Sequence, residues 1–109
     1  MNVIQNFKFF DEAAAAGESN VFTSHCYTDA TIEIKGDATA FNVEVQACID
    51  IETEPEWTTL CVVDESNFNT LTSLTAKGLY SFSVMGKSVR VKINSISGGS
   101  LTIVGKFLN

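Results

Sequence analysis

The amino-acid sequence predicts an all-β protein, an antiparallel and jelly-roll-like β-sandwich of about eight strands. Three observations carry this expectation. First, the last third of the chain alternates apolar and polar residues with a period of two. Tyr80, Phe82 and Val84 alternate with Ser81 and Ser83, Val89, Val91 and Ile93 with Arg90, Lys92 and Asn94, and a third run places Leu101, Ile103, Gly105 and Phe107 on one parity. Successive side chains of a strand point to opposite faces, so each run has one face suited to a core and one suited to water. Second, glycines and polar clusters separate the apolar runs at roughly ten-residue spacing. Third, no segment is a helix long enough to cross over a parallel sheet.

Each element follows from local composition. Asn2 to Phe10 reads as a first strand, and Val3, Ile4, Phe7, Phe9 and Phe10 make it more apolar than a free tail. It is either a strand of the sandwich or an arm that pairs with a neighbouring subunit's sheet edge. Asp11 to Gly17 is a loop. Its four alanines favour helix but are too few for more than a turn, which Gly17 ends. Residues 1–20 are thus a strand or arm plus a loop, inside a single domain covering 1–109. Val21 to Tyr27 and Ala30 to Ile34 are strands, the second with Ile32 and Ile34 inward, and Lys35-Gly36-Asp37 is a turn. The next strand is long, with Phe41, Val43, Val45, Ala47, Ile49 and Ile51 on the core face and Cys48 on the opposite face. Pro55 breaks it, because proline cannot donate to a ladder. Trp57 to Val63 is a strand, Asp64 to Asn69 a polar turn, and Leu71 to Leu74 a weak edge segment. Gly78 and Gly86 mark turns, Gly98-Gly99 a hairpin, and Gly105 a bulge or a close approach to a large side chain. Trp57 and Tyr80 are the expected large core fillers.

Composition narrows the function. Of 109 residues 45% are hydrophobic, enough for one core. A formal net charge of −6 opposes binding to nucleic acid or to anionic membranes. No apolar run of about twenty residues is present to form a transmembrane helix. The N-terminus lacks the basic start and apolar stretch of a signal peptide, so synthesis in a cytoplasm is expected. Cys26, Cys48 and Cys61 are an odd count without a CxxC pair, which argues against a disulfide framework.

Candidate chemistry is sparse. Asp50, Glu52, Glu54 and Glu56 fall on alternate positions and could offer oxygens to calcium, but Pro55 interrupts them and a solvated acidic edge is the better reading. His25 and Cys26 are neighbours, which on a strand places them on opposite faces, unfit to share a proton. No catalytic residue, metal site or cofactor is assigned, and the protein is expected not to be an enzyme. Lys87, Arg90 and Lys92 form a basic stripe opposite a core face, readable as a docking surface for an acidic partner or as a solvated face. Val104 and Leu108 make the final strand apolar on both faces, and with the outward Cys48 they suggest burial between subunits. The candidate interface residues are therefore Cys48, Lys87, Arg90, Lys92, Val104 and Leu108, in a homo-oligomer such as a trimer. A sugar-binding module would instead need exposed aromatics, for which Trp57, Tyr27 and Phe68 are the candidates.

Trp57-Thr58-Thr59-Leu60, Gly78-Leu79-Tyr80, Val84-x-Gly86, Val89-Arg90-Val91-Lys92, Ser97-Gly98-Gly99-Ser100 and Leu101-Thr102-Ile103-x-Gly105 together resemble a C-terminal pattern of small β-sandwich virion proteins of tailed bacteriophages. The resemblance covers roughly residues 40–107 and leaves the N-terminal third unmatched. It implies a virion structural role: an auxiliary capsid or head-decoration protein, a head-fibre base, or a tail or baseplate module. The chain lacks a long fibrous C-terminal extension, which favours decoration. The implied partners are the major capsid protein or other virion proteins, the implied location is the virion, and the alternative is a carbohydrate-binding module of the tail or baseplate.

Overall fold

In the computed structural model, which describes residues 4–24, 26–49 and 52–109, the alternating runs become strands. They are β1 (Ile4–Ala13), β2 (Gly17–Glu18), β3 (Phe22–Thr23), β4 (Asp29–Gly36), β5 (Ala40–Cys48), β6 (Thr58–Thr59), β7 (Val62–Asp64), β8 (Thr70–Leu71), β9 (Gly78–Ser83), β10 (Ser88–Ser97) and β11 (Leu101–Leu108). No helix occurs among the described residues. One sheet has the order β1-β11-β4-β9-β7-β8 and the other β2-β10-β5-β6, with β3 also paired to β10. Every pairing between strands is antiparallel. The predicted all-β sandwich is the fold. Its eleven strands exceed the expected number because β2, β3, β6 and β8 are pieces of two residues each.

The core lies between the inner faces. Ile32 and Ile34 of β4, Val43 and Val45 of β5, Tyr80 and Phe82 of β9, Val89, Val91 and Ile93 of β10, and Leu101, Ile103 and Phe107 of β11 are all buried. Each aliphatic side chain so buried stabilises the fold by about 1.5–3 kcal/mol relative to exposure. Aromatic rings close one part of this core, with Phe22 stacked on Phe107 at 3.8 Å between centroids and Phe7 edge-on to Phe9 at 4.8 Å. Gly105 makes room for them: a Cβ there would sit 3.0 Å from ring carbons of both Phe9 and Phe107. The close approach expected at Gly105 is present, and β11 runs past it in unbroken register with β4. The irregularities are in β1, between Lys8 and Phe10 and again before Ala13.

Several turns carry the chain from one sheet to the other, including the one expected to close a hairpin. Gly98-Gly99 is such a case, because β10 pairs with β5 whereas β11 pairs with β1 and β4. The β4–β5 connection crosses beside it, and the two crossings are bonded together. The N–H groups of Asp37 and Ala38 donate to the Ser100 carbonyl at 3.1 Å each, and the N–H of Thr39 donates to that of Ser97. The N–H of Ser100 in turn donates to Asp37 Oδ1 at 2.8 Å.

Several expected elements differ, each for a local reason. The N-terminal segment is a strand of its own sandwich, laid along β11 from Ile4↔Leu108 to Ala13↔Leu101, not an arm. Asp11 to Ala13 continue that strand, and Gly17 opens β2, so the alanine run holds no helical turn. The strand expected over Val21–Tyr27 shrinks to β3. Ser24 turns away from the ladder, its N–H donating to the Lys87 carbonyl and its hydroxyl to the carbonyls of both Val84 and Lys87. β5 stops at Cys48, whose partner Ser88 is the first residue of β10. Ile49, expected in the core, is consequently 84% exposed. Ile51 and Asp50 lie outside the described residues. The strand expected over Trp57–Val63 divides between sheets: the Leu60 N–H donates to Val45 in the β5 sheet at 2.8 Å, and Val62 then joins β8 in the other. Leu74 reaches back to exchange two backbone hydrogen bonds with Val43 and is fully buried. Tyr80 fills the core as expected, its hydroxyl donating to the Ala76 carbonyl at 2.6 Å. Trp57 is only half-buried and is absent from the core.

Candidate functional site: two outer sheet faces

The outer face of β10, β5 and β6 carries an ordered polar chain. The register sets Arg90, Gln46 and Thr59 in one row across the three strands. Arg90 Nε donates to Gln46 Oε1 at 2.7 Å, and the guanidinium carbon lies 4.2 Å from the centroid of the Trp57 ring. Gln46 Nε2 donates to Glu44 Oε1 at 2.6 Å, and Thr59 Oγ1 donates to Glu44 Oε2 at 3.1 Å. A cation over an aromatic face contributes about 0.5–2 kcal/mol. Here it also fixes the guanidinium and ties the segment before β6 to β10. Lys92 stands in register between Glu44 and Glu18. Lys87 lines a recess of about 470 Å³ with Cys48, Ile49, Glu54, Glu56 and Leu60.

The outer face of the six-stranded sheet is different in character. Its rows run Ile4, Leu108, Asp29, Ser83, then Asn6, Lys106, Thr31, Ser81, then Lys8, Val104, Glu33, Leu79. Ile4, Leu79 and Leu108 are exposed by 60%, 48% and 38%, and Val104 is half-buried. Val104, Gly105 and Leu79 line a depression of about 480 Å³ flanked by Lys106 and Glu33. This face mixes four aliphatic side chains, Ile4, Leu79, Val104 and Leu108, with charged and neutral polar ones.

The six candidate interface residues therefore do not form one patch. Cys48, Lys87, Arg90 and Lys92 belong to the β5–β10 side, and Val104 and Leu108 to the opposite side. Cys48 has the outward parity expected of it but is only 7% exposed within the single chain, so its burial needs no partner. Leu79 is absent from the candidates the sequence offers, although its parity against Tyr80 is readable, and Ile4 enters there only as part of an apolar strand or arm. The Arg90–Trp57 contact had no readable sign, since it depends on β10 and β6 both lying along β5, which the local pattern does not reveal.

The remaining candidates stay apart. Glu52, Glu54 and Glu56 are exposed and Asp50 lies outside the described residues, and among those described no three His, Cys, Asp or Glu side chains gather closely enough to hold a metal ion. His25 also lies outside the described residues, and Cys26 is exposed. Of the aromatics, Trp57 sits against Arg90, Tyr27 packs on Phe22 and donates to Gln5 Oε1 at 2.9 Å, and Phe68 stands on the turn after β7. They share no platform. Every buried side-chain nitrogen or oxygen among the described residues has a hydrogen-bond partner.

The shifts at Asp37 and Tyr80 are structural. The Ser100 N–H bond, against some opposing desolvation, holds the Asp37 carboxyl below its usual range, aided by its own N–H, the Ser100 hydroxyl and the charge of Lys77. Burial, with a smaller contribution from the Asp64 charge, pushes the Tyr80 phenol up.

Comparison with known proteins adds a lineage to this geometry. A protein-family model, XepA, matches residues 3–107. The solved structure of the SPBc2 prophage-derived protein YomS superposes with a TM-score of 0.90 at 21% identity, covering 100% of this chain and 96% of that one. The solved structure of the PBSX exported protein XepA superposes with a TM-score of 0.92 at 20% identity, covering 99% of this chain and 38% of that one. The chain thus spans well under half the length of that exported protein. No curated protein matches the chain.

Proposed function

The chain belongs to the XepA family, and on that premise we propose that it is a phage structural protein that works by docking. It is an auxiliary capsid, or head-decoration, protein that binds the capsid surface or other virion proteins as a small homo-oligomer. The resemblance read from residues 40–107 and the phage-derived likenesses support the phage setting. One observation supports docking above the rest: the six-stranded sheet offers Ile4, Leu79, Val104 and Leu108 to solvent on one face, with Lys106 and Glu33 among them. Aliphatic area of this kind supplies affinity, and the interspersed charges set register and exclude wrong partners. We read the protein as a binder and not as an enzyme. It would be made in the bacterial cytoplasm and carried in the virion. The scattered aromatics lend the sugar-binding alternative no support.

Copy number tests this. In phage particles banded repeatedly on density gradients, quantitative mass spectrometry should find the chain at a fixed ratio to the major capsid protein. Recovery in the lysate alone, with none in banded particles, would reject the proposal.

A further inference from the structure

The turn between β7 and β8 presents Phe68 in a way that folding alone does not require. The residue is 77% exposed, and its φ is 61°, in the left-handed region that bulky residues rarely enter. Asparagine tolerates that region better, and it stands on both sides, at Asn67 and Asn69. The turn itself is firmly tied. The Phe68 N–H donates to the Asp64 carbonyl at 2.7 Å, and the Asp64 N–H donates to the Asn69 carbonyl at 2.8 Å. Asp64 Oδ1 accepts from the N–H and hydroxyl of Ser66 at 2.9 and 2.8 Å, and the Asn69 N–H donates to Asn67 Oδ1 at 2.9 Å.

An aromatic ring is thus held in solvent by a rigid turn, in a backbone conformation that a smaller residue adopts with less strain. Strain kept at an exposed position is a pointer to function. A backbone already ordered before binding loses little freedom when the ring it carries is buried, which suits an interface anchor. The turn, residues 64–69, carries the carboxylates of Asp64 and Glu65 and no cation. It lies at the β8 end of the six-stranded sheet.

Resting on the virion reading above, we propose that Phe68 anchors the chain to a virion protein, its ring entering an apolar pocket rimmed by basic groups that complement Asp64 and Glu65. The turn's carboxylates and the net charge of −6 disfavour a membrane as the occupant. The test titrates wild-type and Phe68→Asn chains onto particles of the encoding phage produced without this chain, with thermal melts run alongside. Phe68→Asn should melt at or above the wild-type temperature and bind roughly thirty-fold more weakly, as expected for loss of a central anchor. Equal binding by both chains would overturn the inference and leave the virion reading standing. Failure of the wild type to bind would overturn both. A lower melting temperature for Phe68→Asn would overturn the inference by assigning the ring to the fold. Vesicle binding (phosphatidylcholine with phosphatidylglycerol) that is lost in Phe68→Asn would overturn it by making lipid the occupant.

Discussion

Asp37 does two jobs at one corner of the molecule. It follows β4 directly, at the point where the chain leaves one sheet for the other, and its carboxylate receives the N–H of Ser100 from the neighbouring crossing. Hydrogen bonding to the charged form lowers the folded-state pKa below the unfolded value, here 3.8. The unfolded chain therefore takes up this proton at a higher pH than the folded chain does. The contribution of Asp37 to stability is complete above the unfolded value and lost as pH falls through the folded one. Wild type should accordingly be more stable than Asp37→Asn at pH 7, and the gap between their melting temperatures should narrow as pH falls through and below the unfolded value of 3.8. A gap that stayed constant over that range would show that the charge is not what Ser100 needs. Gly36, one residue earlier, is fixed for a different reason: at a φ of 134°, a Cβ there would fall on the Ser100 carbonyl.

At the scale of elements, the connections decide the architecture. The Leu71–Leu74 segment illustrates this. β8 ends at Leu71, and Leu74 then pairs with Val43 across the sandwich before β9 returns to the first sheet. Leu74 is fully buried, so Leu74→Ala should cost about 2–5 kcal/mol, read as a lower denaturation midpoint with little change in slope. An effect below about 1 kcal/mol would mean that the site collapses around the smaller residue. What could be read beforehand follows the same division. The period-two runs of β4, β9, β10 and β11 were legible because alternation is written within a single strand. Which strand pairs with which was not, so Gly98-Gly99 looked like a hairpin and Trp57–Val63 like one strand. Ser24 diverts β3 through bonds to Val84 and Lys87, more than fifty residues away, and nothing local announces such a partner. The candidate site was legible in part for the same reason. Parity alone showed Val104, Leu108 and Cys48 pointing outward, but that Cys48 is nonetheless buried depends on the recess it borders, and the setting of Arg90 depends on the position of Trp57.

At the scale of the whole molecule, the sandwich sets two unlike faces back to back. One is polar and internally bonded around Arg90, Gln46 and Glu44, and the other sets Leu79, Val104 and Leu108 among polar and charged side chains. The polar chain satisfies most of its own groups, so we assign docking chiefly to the face that exposes Ile4, Leu79 and Leu108, together with Phe68 on the β7–β8 turn. Side-chain footprinting by hydroxyl radicals, comparing free with particle-bound chain, tests this most directly. The account predicts that Leu79, Leu108 and Phe68 become protected on particles while Met85, at the β9–β10 turn, keeps its reactivity. Unchanged reactivity of all three in the bound chain, or protection confined to Trp57 and the β5–β10 face, would contradict it.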